Sequence, residues 1–229
     1  MVFTQREPER AEPRRVELTP QQTQQIRDLA RAVGADPEFL LGVLRNAEVR
    51  RSGDHYSFSY GLPNRGARTG EESRATDLGL SILSRAYQSW EGDRRVLRTT
   101  PDFSAETLGG AAADYLRNHG SFQIGAKTGE WLRREAVRLG VDAETLRRSI
   151  RTYYVLRNLN PTVANNALRE VCGNDPKIEA FAMACADRLR TRETESGGTE
   201  LWLRTADAVA LRGEFRAEEV MRSTPRRLA

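Results

Sequence analysis

The chain predicts a mainly α-helical protein, a bundle of about nine helices with helix-turn-helix units and at most one short β-hairpin. Three observations carry that prediction. Helix-start signals recur along the chain: Thr19-Pro20, Asp36-Pro37, Asn160-Pro161 and Asp175-Pro176 each set a capping side chain before a proline suited to the first helical turn. Apolar residues follow these signals at three- and four-residue spacing. One short pattern also occurs twice: Ala, three residues, Gly, a small or β-branched residue, Asp, then apolar residues four and eight positions after the Asp. The first copy uses Ala30, Gly34, Ala35, Asp36, Leu40 and Leu44; the second uses Ala136, Gly140, Val141, Asp142, Leu146 and Ile150. In such a unit the Ala lets two helices approach, the Gly ends the first helix in a left-handed turn, and the Asp caps the second.

The elements follow in order. Residues 1–17 alternate Glu, Arg and Pro with almost no apolar residue and predict a disordered arm. Thr19-Pro20-Gln21-Gln22 joins an N-cap, a first-turn proline and a capping-box Gln, predicting a helix to about Val33 that Gly34 ends. Asp36-Pro37 opens the next, with Phe39, Leu40, Val43 and Leu44 facing inward. Ser52-Gly53-Asp54 breaks the helical period, and "HYSFSY" alternates aromatic with polar residues, so a strand, a hairpin or a long ordered loop is expected there. Leu78, Ile82, Leu83, Ala86 and Trp90 predict a helix over 71–90, closed by Gly92. Residues 94–103 read as a linker.

Ser104 then caps a helix through Asn118, in which Gly109 and Gly110 either weaken the helix or let another cross closely. The segment 119–129 reads as a loop, with Thr128 capping a helix to about Leu139. Further helices are expected over 143–159, 161–171 and 176–191. "VCGNDPKIEAF" resembles "VGADPEFLLGV" with one inserted residue, a third and diverged copy of the turn. "RETESGGTE" reads as a flexible loop. Thr199 starts a helix through Leu211, Gly213 breaks it, and a short helix leads to the basic tail at 224–229. These elements divide into an N-terminal helical domain over 18–92, with a hairpin or wing at 50–66, and a C-terminal helical domain over 104–223.

The 229 residues suit one large or two small domains, and 38% hydrophobic with 30% charged residues predicts a polar surface around a real core. No apolar run approaches the ~18 residues of a membrane span, so no membrane partner is expected. The first fifteen residues hold no apolar segment of a secretory signal. Cys172, Cys185, His55 and His119 are too few and too scattered for a structural zinc site, and both thiols are expected to be buried and reduced, in keeping with a cytoplasmic location. No cofactor is expected. The net charge is +4, and 34 of the 36 basic residues are arginine, because lysine occurs only at Lys127 and Lys177. Arginine gives bidentate contacts to phosphate and guanine. The same bias follows from a GC-rich genome, so it permits an anionic partner without demanding one.

Charge concentrates around the second copy of the pattern. Between Trp131 and Arg157 stand seven arginines against Glu135, Asp142 and Glu144, a local net charge of +4. This segment, about 128–157, resembles the helix-turn-helix superfamily of DNA-binding domains. The resemblance implies a bacterial or phage-type regulator or nucleoprotein factor rather than an enzyme. Its partner is then double-stranded DNA, with room for a homodimer or a protein partner. Arg133, Arg134 and Arg138 would anchor phosphates, Arg147, Arg148 and Arg151 would line the recognition face, Glu144 could accept from cytosine, and amides near Thr128 could hold a phosphate. The bland alternative is a surface hairpin with a solvated arginine face. The first copy shows Phe39, Leu41 and Gly42 where a reader needs polar side chains, and is expected to be structural; as a winged variant, Arg50 and Arg51 would touch phosphate and Tyr56 or Tyr60 would stack.

Other readings stay open. Glu48 after the apolar "LLGVLRNA", with "SYGL" downstream, is similar to lysozyme-like lytic transglycosylases, which implies a general-acid role for that Glu. Val49 and "PNRG" depart from that family's pattern. "GSFQIGAKT" misses a phosphate-binding loop by one residue, since Ala126 separates Gly125 from Lys127. Trp131 and Glu135 match a Trp-three-residues-Glu signature of some bacterial effectors, and the tail resembles type IV secretion signals. These keep a helical interaction module or secreted effector in play.

Overall fold

The computed structural model describes residues 16–223 except 53–54, 61–68, 92–93, 99, 120–121 and 195–198. Most of the expected arm and the whole of the basic tail therefore lie outside the described residues. The fold is mainly α, with nine helices and seven short strands among the described residues. The chain divides into two compact units, 1–107 and 108–229, later than the 92–103 junction that the sequence suggests.

In the first unit, α1 (Pro20–Ala32), α2 (Pro37–Arg45) and α3 (Gly70–Tyr87) share one core. The Thr19 hydroxyl accepts from the Gln22 amide while the Gln22 side chain accepts from the Thr19 amide, closing the predicted capping box. Ile26, Leu29, Leu40, Leu44, Leu78, Ile82 and Leu83 are buried together. Arg74 of α3 donates to the Gly34 carbonyl at 2.6 Å, fastening α3 to the turn between α1 and α2.

The expected hairpin is present as β1 (Ala47–Ser52) and β2 (His55–Tyr60), antiparallel, with Val49 opposite Phe58. A second hairpin was not expected: β3 (Gln88–Glu91) pairs with β4 (Arg94–Leu97). The helical spacing that reaches Trp90 in sequence therefore ends three residues early, and the supposed linker supplies a strand. The backbone at Gln88 is extended, and Arg98 donates its amide to the Tyr87 carbonyl. The entry to α4 (Ala105–Asn118) is built on Asp102 and Ser104: the Ser104 hydroxyl accepts from the Thr107 amide, and Asp102 accepts from the Ser104 amide and the Thr107 hydroxyl.

The second unit continues with β5 (Phe122–Ile124), α5 (Ala126–Leu139), α6 (Ala143–Leu156), α7 (Pro161–Cys172), α8 (Pro176–Ala186), β6 (Arg190–Glu193), β7 (Thr199–Trp202) and α9 (Thr205–Ser223). Helix α6 is central and packs against α5, α7 and α8. Leu132, Leu146, Ile150, Leu168, Phe181, Leu201 and Leu211 form the core, which also holds both free thiols, Cys172 and Cys185. The strands form one small sheet in the order β5-β7-β6, with β5 and β7 parallel. The sequence expects a helix where β7 lies and a break at Gly213. Instead α9 starts at Thr205 and runs through Gly213. Pairing of residues 199–201 with 122–124 overrides local helical preference there, as tertiary context does for short strands.

The repeated turn has one geometry. Gly34 and Gly140 are left-handed (φ 67° and 69°), and the next amide bonds back to the Ala carbonyl five residues earlier: Ala35 to Ala30 at 2.9 Å, Val141 to Ala136 at 3.0 Å. Asp36 then accepts from the Phe39 amide and Asp142 from the Thr145 amide. The third copy follows suit: Gly173 is left-handed, Asn174 bonds back to Arg169 at 3.1 Å, and Asp175 accepts from Lys177 and Ile178. The inserted residue falls before the glycine and leaves the Gly-x-Asp-Pro turn in register. What changes is the buried stripe after it, which moves one residue earlier to Ile178, Phe181, Ala182 and Cys185.

Two consequences are measurable by urea denaturation. A methyl at Gly109 would meet the Val163 carbonyl oxygen at 2.7 Å and the Ala167 nitrogen at 3.0 Å, so α4 and α7 approach too closely for any side chain. Gly109→Ala should destabilise by about 1–3 kcal/mol through overpacking. Gly42→Ala, which meets nothing within 4 Å, should stabilise by about 0.5–1 kcal/mol through helix propensity.

Acid titration provides a second check. Burial raises the Asp102 pKa, but the Thr107 hydroxyl, the Ser104 amide and the Arg98 guanidinium outweigh it and hold Asp102 at about 2. A carboxylate depressed in the folded state stabilises above its unfolded pKa, and that contribution fades as pH falls through the folded value. The parent should therefore lose stability between about pH 4 and pH 2 more steeply than Asp102→Asn.

Candidate nucleic-acid interface

The α5–α6 hairpin carries every residue that the sequence assigns to DNA contact around the second copy of the pattern. The structure sorts them into an exposed set and a structural set. Arg133 and Arg134 are exposed on α5, beside Val137, whose side chain is 83% exposed. On α6, Glu144, Arg147 and Arg148 occupy the first two turns, with side chains 52%, 39% and 42% exposed. Arg148 donates to one Glu144 oxygen at 3.0 Å, and Arg147 lies 3.7 Å from the other.

Three assignments need correction. Thr128 does not cap α5. The cap position falls three residues earlier, at Gly125, and the buried Thr128 hydroxyl accepts from the Leu203 amide at 3.0 Å. Arg138 is not a free phosphate anchor: it donates to Glu135 at 2.8 Å, and Glu135, only 1% exposed, also takes Arg212 of α9. The two guanidinia neutralise a carboxylate whose burial alone would cost several kcal/mol. Arg151 is half-buried and donates to the Leu116 carbonyl at 2.6 Å. Burial pulls its guanidinium below the usual value, and its buried Nε has no hydrogen-bond partner among the described residues. The charged side chains that α6 leaves at the surface are thus limited to its N-terminal half. Farther along, Thr152, Val155 and Leu156 are buried and Arg157 donates to the Ala186 carbonyl.

Two adjacent cavities of about 180 Å³ each flank Arg148 and Arg151, which line both. Gln123 and Ile124 of β5, with Glu144 and Arg147, complete one; Ala113 and Arg117 of α4, with Thr152, Glu170 and Val171, complete the other. Sequence reasoning missed Gln123 and Arg117. The first sits in a segment taken for a loop, and the second, paired with Asp114 on its own helix, lies more than thirty residues along the chain from Arg148 and Arg151. No local pattern marks either.

The remaining motifs resolve as follows. In the first copy Leu41 is buried, as expected for a packing unit. Arg50 pairs with Glu48 at 3.0 Å, and the side chains of Arg51, Tyr56 and Tyr60 lie outside those described. Glu48 does not end an apolar helix: α2 stops at Arg45, and Glu48 stands on β1, half exposed and ion-paired. That is the reverse of the apolar enclosure that raises the pKa of a glycosidase acid. In the near-miss phosphate loop, the Gly125 amide is already bonded to the Leu201 carbonyl at 2.9 Å. Trp131 stacks on Phe181 and Glu135 is buried, so the Trp-Glu signature points largely inward. No helix among the described residues is long and apolar enough to cross a membrane. Comparison with protein-family models, curated proteins and solved structures returns no match.

The buried carboxylate makes a direct prediction. Glu135→Ala leaves Arg138 and Arg212 without their shared anion and should destabilise the chain by about 2–4 kcal/mol. Glu135→Gln, which keeps an acceptor, should cost less. Thermal and urea unfolding measure both; an unchanged midpoint in Glu135→Ala would show that the network carries no stability.

Proposed function

We propose that the protein binds double-stranded DNA through the start of α6, as a cytoplasmic transcriptional regulator or nucleoprotein factor rather than an enzyme. The observation that carries this reading is the pair Arg147 and Arg148, side by side on the exposed first turns of a helix entered through a left-handed glycine and an Asp cap. Arginine pairs at such a position suit guanine edges and phosphates, and the N-terminal residues of a recognition helix are those that reach base edges. Arg133 and Arg134 on the preceding helix supply exposed charge for phosphate anchoring. Arg138 and Thr128 leave the contact set and become supports of the hairpin, while Arg151 is held in place by the Leu116 carbonyl. A homodimer would place two such helices on one duplex.

A second reading, a helical protein-interaction module or secreted effector, draws on Val137, an exposed apolar side chain between the α5 arginines and the turn. The two readings respond differently to charge. DNA binding predicts retention on duplex DNA that falls steeply with salt, with a slope reduced by about 0.9 for each phosphate contact removed. Arg147→Ala with Arg148→Ala should weaken retention at least tenfold, while Val137→Ser should leave it unchanged. If the arginine double variant binds like the parent, α6 is not the reader. If no duplex is retained even at low salt, the interaction module stands in its place.

A further inference from the structure

We infer that the arginine cleft around Arg148 and Arg151 is a binding site for a single phosphate group, and that Glu144 occupies it as a resident anion in the free protein. Four elements build this cleft. Arg117 comes from α4, Gln123 from β5, Glu170 from α7, and Glu144 with three arginines from α6. Three arginines line each cavity, Arg147, Arg148 and Arg151 beside Glu144 in one and Arg117, Arg148 and Arg151 beside Glu170 in the other, with Arg117 also paired to Asp114 at 3.4 Å. The planar guanidinium forks match phosphate oxygens bidentately, which a lysine cluster would not do. Arg151 is already immobilised by its bond to the Leu116 carbonyl, so its charge is in place before any ligand arrives. Gln123, exposed on β5, adds neutral hydrogen-bonding capacity to the rim. Each cavity, at about 180 Å³, has room for a phosphate or pyrophosphate group.

Glu144 reaches Arg148 at 3.0 Å and Arg147 at 3.7 Å, standing where an incoming phosphate would stand. Both contacts are solvent-exposed ion pairs, which are weak and readily exchanged. A phosphate monoester or pyrophosphate carries more charge and more terminal oxygens than the carboxylate and displaces it, whereas a backbone phosphodiester matches the carboxylate in charge and gains only from its further contacts. This goes beyond DNA recognition, because a free phosphate monoester and a backbone phosphodiester both offer non-bridging oxygens to the cleft.

Calorimetric titration of the full chain with pyrophosphate tests the site. The parent should bind one equivalent. Arg148→Gln should weaken binding about tenfold, as expected for loss of a charge-assisted bidentate contact. Glu144→Gln, which removes the competing anion, should tighten it about threefold, the size of an exposed pair. Glu193→Gln, the same charge change on exposed β6, should leave the affinity unaltered. Absence of pyrophosphate binding in both the parent and Glu144→Gln overturns the inference, as does an equal response in Glu144→Gln and Glu193→Gln. Competition against labelled duplex identifies the source of the phosphate. Displacement of DNA by pyrophosphate, eased by Glu144→Gln, assigns the cleft to a backbone phosphate; pyrophosphate bound without displacing DNA assigns it to a free ligand, and both results support the site. A chain that binds pyrophosphate but no DNA overturns the DNA reading alone, whereas one that retains DNA and ignores pyrophosphate overturns the cleft alone.

Discussion

A backbone hydrogen bond that closes over a left-handed glycine sets the course of the chain in both units. After α1, α5 and α7, the amide following the glycine reaches back five residues, and an Asp then caps the next helix. Because the cap decides where that helix begins, it also decides which side chains face out, each residue of shift turning the helix by about 100°. At α6 the result is that Leu146 and Ile150 enter the core while Glu144, Arg147 and Arg148 remain at the surface. At α8 a stripe displaced by one residue brings Ile178 and Phe181 inward instead. The candidate site is thus a by-product of helix phasing, and one turn serves both for packing and for presenting charge.

Much of this was legible in the sequence because it is local. Thr19 with Gln22, Asp36, Asp142, Asn160 and Asp175 act within three residues of themselves, and the helices begin where those residues place them. What was not legible depends on pairings that no local signal announces. Strand β7 exists because residues 122–124 pair with it, and the second hairpin because its two strands satisfy each other's backbone groups. The same divide runs through the site. The exposed Arg133 and Arg134 and the half-exposed Arg147 and Arg148 follow from helical phase, whereas the commitments of Thr128 to Leu203, Arg138 to Glu135 and Arg151 to Leu116 reach from 3 to 75 residues, and spacing alone does not tell which of several nearby arginines a carboxylate will take.

Arginine count is consequently a poor guide to available charge in this chain. Seven arginines lie between Trp131 and Arg157, but Arg138, Arg151 and Arg157 are tied to a buried carboxylate or to backbone carbonyls. A guanidinium keeps its charge when half-buried and has five donors to distribute, so it serves as a bracket between elements where a lysine could not. The cleft beside α6 joins both uses: Arg151 is fixed to a backbone carbonyl, and Arg147 and Arg148 are weakly paired with Glu144.

The clasp of Glu135 by Arg138 and Arg212 has a further meaning for the order in which the second unit is made. Its carboxylate is synthesised with Arg138 three residues away, but its other cation arrives 77 residues later, together with α9. Strand β7, which sits between β5 and β6, also comes late. While the chain grows, α5 through α8 can form their turns, but the sheet has no middle strand and the buried anion has half its counter-charge. The clasp and the sheet are therefore completed only by residues near the end of the unit, so its last-made segments close what its first-made ones begin.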